Sequence, residues 1–188
     1  MDPVEAVGLV LAAGDSRRMG REKALLDLGH GPAWAWLAAK LHEAGCARVL
    51  VAIPPRLADR VCAAEPWLEV VEVEDRLRAR GPIGSLAALC RRSPPARGWL
   101  VAPVDHPLVA VATLRALLAA EGELRVPVHA GRRGHPVWVG AGHGPAILAG
   151  PASLRELFRG AGVEVAEVPV DDPAVLANLD RPEDLPGA

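Results

Sequence analysis

The stretch LVLAAGDSRRMGREK, residues 9–23, passes from an apolar strand into a basic loop bounded by glycines. Residues 6–12 are almost continuously apolar, which is typical of a strand covered on both faces in a parallel sheet. Gly14 and Gly20 then allow the backbone of the loop to approach a ligand closely. We expect this loop to bind a ligand with concentrated negative charge, because it carries four cations. These cations are Arg17, Arg18, Arg21 and Lys23.

The composition limits the class of protein. A chain of 188 residues and 19.7 kDa predicts one domain, residues 1–188, with its own core. The net charge is −2 and aromatic residues make up 3%, so we expect no nucleic-acid partner. The three cysteines are far apart and show neither a disulfide framework nor a zinc motif.

The apolar residues occur in short runs, and none is long enough to cross a membrane. The acidic start MDPVEAVG lacks the basic region and cleavage site of a signal peptide. We therefore expect a soluble protein of the cytoplasm with no membrane partner.

The first two thirds of the chain alternate between strands and helices. This repeated β-α-β pattern predicts an α/β fold with a doubly wound, mostly parallel sheet. Beyond residue 122 the pattern loosens into a small β-rich addition, either a lobe or edge strands, near the carboxyl ends of the first strands. Predicted strands cover 6–12, 48–55, 69–73 and 99–104, two short strands lie within 124–144, and another covers 163–170. Predicted helices cover 32–44, 56–64, 83–92, 111–120 and 153–159, with a short one opening at 180–184.

Neither of two familiar phosphate-binding motifs fits the opening loop. Five residues separate Gly14 from Gly20 and no Ser or Thr follows Lys23, so the loop is not a Walker A motif. Gly14 is the only glycine near the strand end, which excludes the G-x-G-x-x-G fingerprint. The residues predict a longer cationic loop in which Arg18 and Lys23 grip a triphosphate.

Residues 11–23, LAAGDSRRMGREK, resemble the L-A-[AG]-G-x-S-x-R-M-G-x-x-K signature of the MobA-like nucleotidyltransferases. The AAG form is most similar to the molybdenum cofactor cytidylyltransferases, and a solvated basic loop is the alternative interpretation. The resemblance implies a Rossmann-like nucleotidyltransferase fold and Mg²⁺-dependent transfer of CMP from CTP to molybdopterin, with release of pyrophosphate. It also implies that Arg18 contacts the outer phosphates and Lys23 the α-phosphate. The implied nucleotide-binding residues are Leu11, Ala12, Ala13, Gly14, Arg18, Lys23, Gly81, Pro82 and Ser85.

Two acidic positions are candidates for the metal site. Asp105 follows an apolar strand in VAPVDHPLV, and a hard cation requires carboxylate oxygen. The resemblance makes Asp105 the catalytic, metal-holding aspartate, while the residues alone also allow a turn cap. ANLDRPEDL, residues 177–185, is similar to the C-terminal N-x-D-x-P-E-D-L stretch of the family, which implies Asp180 as the second metal ligand, with Asn178 as its substitute. Asp180 and Glu183 also fit a helix capping box.

ARGPIGSL, residues 79–86, lies against the nucleotide base in the family that the chain resembles. Its Gly81-Pro82 is similar to the guanylyl enzymes, whereas its Ser85-Leu86 is similar to the cytidylyl enzymes, so the base stays open. A simple helix-starting turn is the alternative.

GRRGHPVWVG, residues 131–140, contains a G-H-P-V similar to that of the cytidylyltransferases. Arg132, Arg133 and His135 suit an acceptor that ends in phosphate, such as molybdopterin. A hairpin turn with exposed basic residues is an equally good interpretation. No metal-ligand spacing is visible among the other histidines, His30, His42, His106, His129 and His143.

The sequence leaves other functions open. One rival uses GTP with the same acceptor, and a second activates a phosphorylated sugar. A third is a nucleotide-binding module that performs no chemistry. A molybdenum cofactor enzyme would also make transient contact with a molybdoenzyme or its chaperone.

Overall fold

The structure, a computed structural model, describes residues 5–16, 19–29, 31–62, 65–150, 153–160, 162 and 164–184. An eight-stranded sheet runs through this part of the chain. Its strands are β1 (Val7–Leu11), β2 (Arg48–Ile53), β3 (Leu68–Glu72), β4 (Gly98–Pro103), β5 (Leu124–His129), β6 (Arg132–Arg133), β7 (Val137–Gly140) and β8 (Val165–Pro169).

The strand order is β3-β2-β1-β4-β7-β5-β6, and β8 also pairs with β5. Strands β1 to β4 are parallel, as are β5 and β8, whereas β7 is antiparallel to both β4 and β5. The sheet is therefore mostly parallel, which confirms the predicted fold class. The carboxyl ends of β1 and β4 lie side by side, since Leu11 pairs with Pro103.

Helices cover both faces of the sheet. The helices are α1 (Ala33–Ala44), α2 (Asp75–Arg78), α3 (Pro82–Arg92), α4 (Val111–Ala119), α5 (Gly144–Ala149) and α6 (Leu154–Gly160). In β1, Val10 packs in a core cluster with α1 and α4, and Leu9 packs in a second cluster with α3, α5 and α6. This alternation explains why every residue of β1 is buried.

The bounds of α1 follow from its flanking residues. Pro32, with φ −66°, stands at its N-cap, and Gly45 ends it with φ 122°, a conformation that other residues rarely adopt. The helix packs closely on β1, because a Cβ at Gly8 would lie 3.1 Å from the Leu41 side chain. This close packing fixes the strand that leads into the basic loop.

Several parts of the chain differ from the predicted pattern. The helix expected at 56–64 is a 3-10 helix, Pro55–Arg60, with Leu57 as its one buried residue, and positions 63 and 64 lie outside the described residues. Without an apolar stripe to pack, a longer helix gains little. Helix α5 was not predicted, because its short apolar run lies between glycines. The second-half strands extend the main sheet, and β7 enters its interior.

Among the described residues, no helix combines the length and the apolar character that crossing a bilayer requires.

Candidate active site

A cleft of about 1090 Å³ opens at the carboxyl ends of β1 and β4. Open parallel sheets of this kind bind ligands at this edge. The lining includes α2 and the start of α3, and also Asn178 and Asp180, which lie at the end of residues 172–180, the stretch that we call the closing segment. The predicted site residues that line the cleft are Leu11, Ala12, Ala13, Gly14, Lys23, Gly81, Pro82, Ser85, Asp105, His135, Asn178 and Asp180.

The basic loop folds back on itself around Ser16. Ser16 has φ 52°, its carbonyl accepts from the N–H of Met19 at 3.1 Å, and its Oγ accepts from the N–H of Lys23 at 3.0 Å. Met19 is buried, which anchors the far side of the loop in the core. These contacts return Lys23 to the cleft, at the start of a 3-10 helix. Arg17 and Arg18 lie outside the described residues.

Lys23 lies between the two candidate metal ligands. Its Nζ forms an ion pair with Asp180 Oδ1 and lies 3.9 Å from Asp105 Oδ2. All three side chains are largely buried, with exposed fractions of 12%, 17% and 26% for Lys23, Asp180 and Asp105. The backbone links the carboxylates as well, because the N–H of Leu179 donates to the Asp105 carbonyl at 2.8 Å. Lys23 and Asp105 therefore face each other, as the sequence hypothesis required.

The donor set fits a divalent cation. Asp105 Oδ1 is buried without a hydrogen-bond partner among the described residues, an arrangement that a cation would relieve. The described residues contain no group of three or more His, Cys, Asp or Glu side chains placed to hold a metal. Mg²⁺ needs no such group, because it commonly binds one or two carboxylates and completes its shell with water and substrate phosphates.

Two histidines lie next to Asp105. His106 Nε2 is 4.0 Å from Asp105 Oδ1, and the His106 and His135 ring centroids are 5.0 Å apart. Burial lowers the pKa of His106, although the Asp105 carboxylate opposes this, and burial with the nearby His106 lowers the pKa of His135 to about 4. Both imidazoles are therefore neutral at pH 7. No role was predicted for His106 from the sequence, where its one signal is its position directly after Asp105.

The cleft lining also contains a cation that the sequence analysis missed. Arg78, whose side chain is 14% exposed, donates from Nε to the Ala13 carbonyl at 3.0 Å and forms ion pairs with Asp15 and Asp75. It connects the basic loop to α2, just before Gly81. No sequence motif marks it, because its role depends on how α2 packs beside the loop.

The start of α3 is closely packed. Gly81 has φ 72°, and a Cβ at Gly84 would overlap the Leu77 carbonyl oxygen of α2. Ser85 is buried and lines the cleft. The turn therefore begins a helix, as the simpler interpretation of residues 79–86 held. It also lines the cleft, as contact with a nucleotide base would require.

A family model described as the MobA-like NTP transferase domain matches residues 8–168. The chain belongs to this family. One curated relative, the molybdenum cofactor guanylyltransferase of Xanthomonas euvesicatoria pv. vesicatoria strain 85-10, is 36% identical over 112 residues. That match covers 60% of this chain and 53% of the relative, so the chain spans about half of its length.

A second relative of this MobA-like chain is the probable molybdenum cofactor guanylyltransferase of Opitutus terrae. It is 28% identical over 207 aligned positions, covering 94% of this chain and 91% of the relative. Two crystal structures of Rv0371c from Mycobacterium tuberculosis H37Rv are also similar. One has a TM-score of 0.78 at 25% identity and covers 96% of both chains; the other, a complex with manganese, has a TM-score of 0.67 at 27% identity and covers 90% of this chain and 89% of that one.

The structure of this MobA-like chain does not bring two predicted acceptor residues to the cleft. Arg132 and Arg133 are exposed on β6, and neither lines the cleft; Arg133 Nε donates to Glu167 Oε1 on β8 at 2.7 Å. The hairpin carries both arginines to the outer part of the sheet, and only His135, on the returning arm, reaches the cleft.

The capping box predicted around Asp180 is shifted by one residue. Asp184, not Glu183, accepts from the N–H groups of Asp180 and Arg181, at 2.9 and 2.8 Å. Glu183 instead forms an ion pair with Arg181 at 3.6 Å. The Asp180 carboxylate takes no part in this cap and instead pairs with Lys23 in this MobA-like chain.

Proposed function

We propose that this protein is a metal-dependent nucleotidyltransferase that moves a nucleoside monophosphate from a nucleoside triphosphate to the phosphate of molybdopterin, releasing pyrophosphate. The observation that carries this proposal is the convergence of Lys23, Asp105 and Asp180 in a cleft at the strand ends. Family membership and the molybdenum cofactor guanylyltransferase names of two relatives support it.

Asp105 and Asp180 would hold the metal, which we propose to be Mg²⁺. The manganese complex of a relative supports a divalent ion of this kind. Such an ion would offset charge on the phosphates and on the departing pyrophosphate. Asn178 stays the alternative second ligand, since it lines the same cleft and carries a carbonyl oxygen, while its Nδ2 donates to Asp180 Oδ2 at 3.4 Å.

The side chains of the chain supply position and charge. In this proposal Lys23 neutralises the α-phosphate, and Arg18 contacts the outer phosphates, as the family resemblance implies. A phosphate monoester is already a nucleophile at neutral pH, so the site needs no general base. Burial lowers the pKa of His106, so its neutral imidazole adds no positive charge, and Lys23 and the metal would offset the negative charge of the phosphates.

The nucleotide base is the finer question. The names of both curated relatives favour GTP, and Gly81-Pro82 on the cleft wall agrees with this. Ala13, on the same cleft, belongs to the AAG form that favours CTP. We propose GTP as the first candidate and CTP as the second.

His135 and the closing segment form the side of the cleft that we propose for the acceptor. The exposed positions of Arg132 and Arg133 give them no contact with this side. We propose that they contribute at most to the long-range attraction of an anionic acceptor. Three expectations stay predictions: that residues 1–188 act as one domain, that the protein is cytoplasmic, and that it contacts a molybdoenzyme or its chaperone.

A pyrophosphate-release assay tests the proposal. The protein is incubated with Mg²⁺ and GTP, CTP, ATP or UTP, with and without molybdenum-loaded molybdopterin. We expect release that requires both the acceptor and either GTP or CTP. A nucleotide-binding module would bind a triphosphate and release nothing, and that result would contradict the proposed function.

A further inference from the structure

A buried carboxylate outside the cleft connects the two segments that carry the candidate metal ligands. Asp172 is 8% exposed and begins the closing segment. Its Oδ1 accepts from the N–H of Ala174 at 3.0 Å. Its Oδ2 accepts from the N–H of Ala110 at 2.8 Å and from Thr113 Oγ1 at 2.7 Å. One side of the carboxylate therefore bonds to its own segment, and the other bonds to the start of α4.

The start of α4 is connected to the turn that carries Asp105. Lys40 of α1 holds this turn by donating from Nζ to the carbonyl oxygens of Pro107 and Val109, at 2.9 Å each. Burial lowers the pKa of Lys40, and the charge of Asp172 opposes this effect, so the two groups lie close enough to interact. The turn is thus fixed from both sides before the chain enters α4.

The other end of the closing segment carries Asp180. Between Asp172 and Asp180, the buried Val175 and Leu179 attach the segment to the core. The Val175 carbonyl accepts from the N–H of His135 at 2.9 Å, so the segment is also bonded to the residue whose ring lies beside His106. Asp172 ties the first residue of this segment to the start of α4, and the Leu179 N–H ties its other end to the Asp105 carbonyl.

The chemistry of this junction requires a carboxylate. Asp172 faces only donors, namely two N–H groups and one hydroxyl, and it accepts on both oxygens. An amide at this position would direct its NH₂ group at one set of donors and lose those bonds. The buried groups left without partners would then shift the segment or the turn.

We propose that Asp172 is a positioning residue that sets the distance between Asp105 and Asp180, and hence the affinity of the site for its divalent metal. This inference rests on the proposed function, because it assumes that the two carboxylates share a metal. Asp172 acts through the backbone and touches neither substrate nor metal.

The test compares Asp172→Asn with the wild-type protein. Mn²⁺ is titrated against the protein with GTP or CTP present and followed by electron paramagnetic resonance. We expect the Kd for Mn²⁺ to rise about tenfold, the lower end of the loss typical of residues that orient metal ligands. We expect kcat to fall with it, while KM for the acceptor stays unchanged.

Thr113 provides a second pair of variants if Asp172→Asn folds poorly. Thr113→Val has nearly the same shape but lacks the hydroxyl that donates to Asp172, whereas Thr113→Ser keeps it. We expect weaker Mn²⁺ binding in Thr113→Val and near wild-type binding in Thr113→Ser.

Leu117→Ala is the control for a purely structural effect, because Leu117 is fully buried in the same helix and lies outside the cleft. It should lower Tm without changing Mn²⁺ affinity. The proposal is overturned if Asp172→Asn and Thr113→Val lower Tm only, or if the wild-type protein binds no Mn²⁺. If these variants weaken Mn²⁺ binding but the wild-type protein releases no pyrophosphate, the positioning role stands and the proposed function fails.

Discussion

Asp105 keeps one carboxylate oxygen buried without a hydrogen-bond donor among the described residues. Such an atom costs stability in the free protein, so its retention is best explained by a ligand. The sequence alone left Asp105 divided between a turn cap and a metal ligand. The structure favours the second interpretation, because the carboxylate turns toward Lys23 and the cleft.

We expect Asp105→Asn to lower kcat for pyrophosphate release by about a hundredfold to a thousandfold. The loss corresponds to several kcal/mol of charge stabilisation that the metal would supply. Tm should not fall, because Asn has nearly the same size as Asp and the substitution removes a largely buried negative charge. Asp59→Asn, an exposed site on the 3-10 helix Pro55–Arg60, is the control. Equal activity in the two variants would refute the role of Asp105.

Lys23 occupies the space between the carboxylates that a metal would share. We expect Lys23→Met to bind Mn²⁺ about fivefold more tightly than wild type when no nucleotide is present, as an ion pair worth about 1 kcal/mol predicts. The same variant should lose most pyrophosphate release, because the phosphates lose their ammonium partner. Weaker Mn²⁺ binding in Lys23→Met would show that the lysine does not compete with the metal. Titration by electron paramagnetic resonance measures both affinities.

The sequence could predict that Lys23 and Asp105 meet, since both follow parallel strands whose carboxyl ends share one edge of the sheet. It could not place Arg133, because a hairpin turn and an acceptor site use the same residue types. Only the pairing of β6 with β5 shows that this arginine lies away from the cleft.

At the scale of elements, Arg78 connects α2 to the basic loop. Its bonds to Ala13 and Asp15 hold the loop beside the wall that contains Gly81. The loop must keep its shape to receive a triphosphate, so this connection should affect nucleotide binding more than the chemical step.

We expect Arg78→Gln to raise KM for the nucleotide about tenfold with a smaller change in kcat, because each hydrogen bond to a charged group contributes about 1.5 to 3 kcal/mol when intact. Arg76→Gln is a matched control on the same helix, since Arg76 is 79% exposed and pairs with Glu74. Steady-state kinetics of both variants test the idea. A similar change in KM for both would show that Arg78 has no special role.

The elements that the sequence predicted well are those with strong local signals. Helix α1 has Pro32 before it, Gly45 after it and an apolar face between them. Helix α5 has a single buried apolar side chain, Ile147, and its place depends on contacts with α3 that no local pattern reveals.

At the scale of the whole molecule, both halves of the chain build one sheet and one cleft. The part of the chain before residue 122 supplies Lys23 and Asp105, and the part after it supplies His135 and Asp180. The antiparallel β7 lies between β4 and β5 and brings His135 next to Asp105. Sequence periodicity predicts the strands but not this order, because strand pairing depends on long-range packing.

The buried histidines predict that global stability falls in acid. The pKa of His135 is about 4 in the folded protein and about 6.5 when unfolded, so the unfolded chain binds more protons between these values. Stability is therefore full above about pH 6.5 and declines as pH falls toward 4. We expect His135 to contribute a loss of about 1 to 2 kcal/mol between pH 7 and pH 5.

Urea unfolding at several pH values measures this loss. His135→Gln should show a shallower decline than wild type, with His106 still adding in the same direction because its pKa is also lowered. An identical pH slope in the two proteins would mean that His135 is not neutral in the fold.

The most direct measurement of the central claim is anomalous scattering from crystals soaked with Mn²⁺ and either GTP or CTP. We predict a manganese peak between Asp105 and Asp180, with the triphosphate beside it and Lys23 Nζ moved onto the phosphates. A nucleotide bound outside this cleft, or manganese bound away from both carboxylates, would contradict the account.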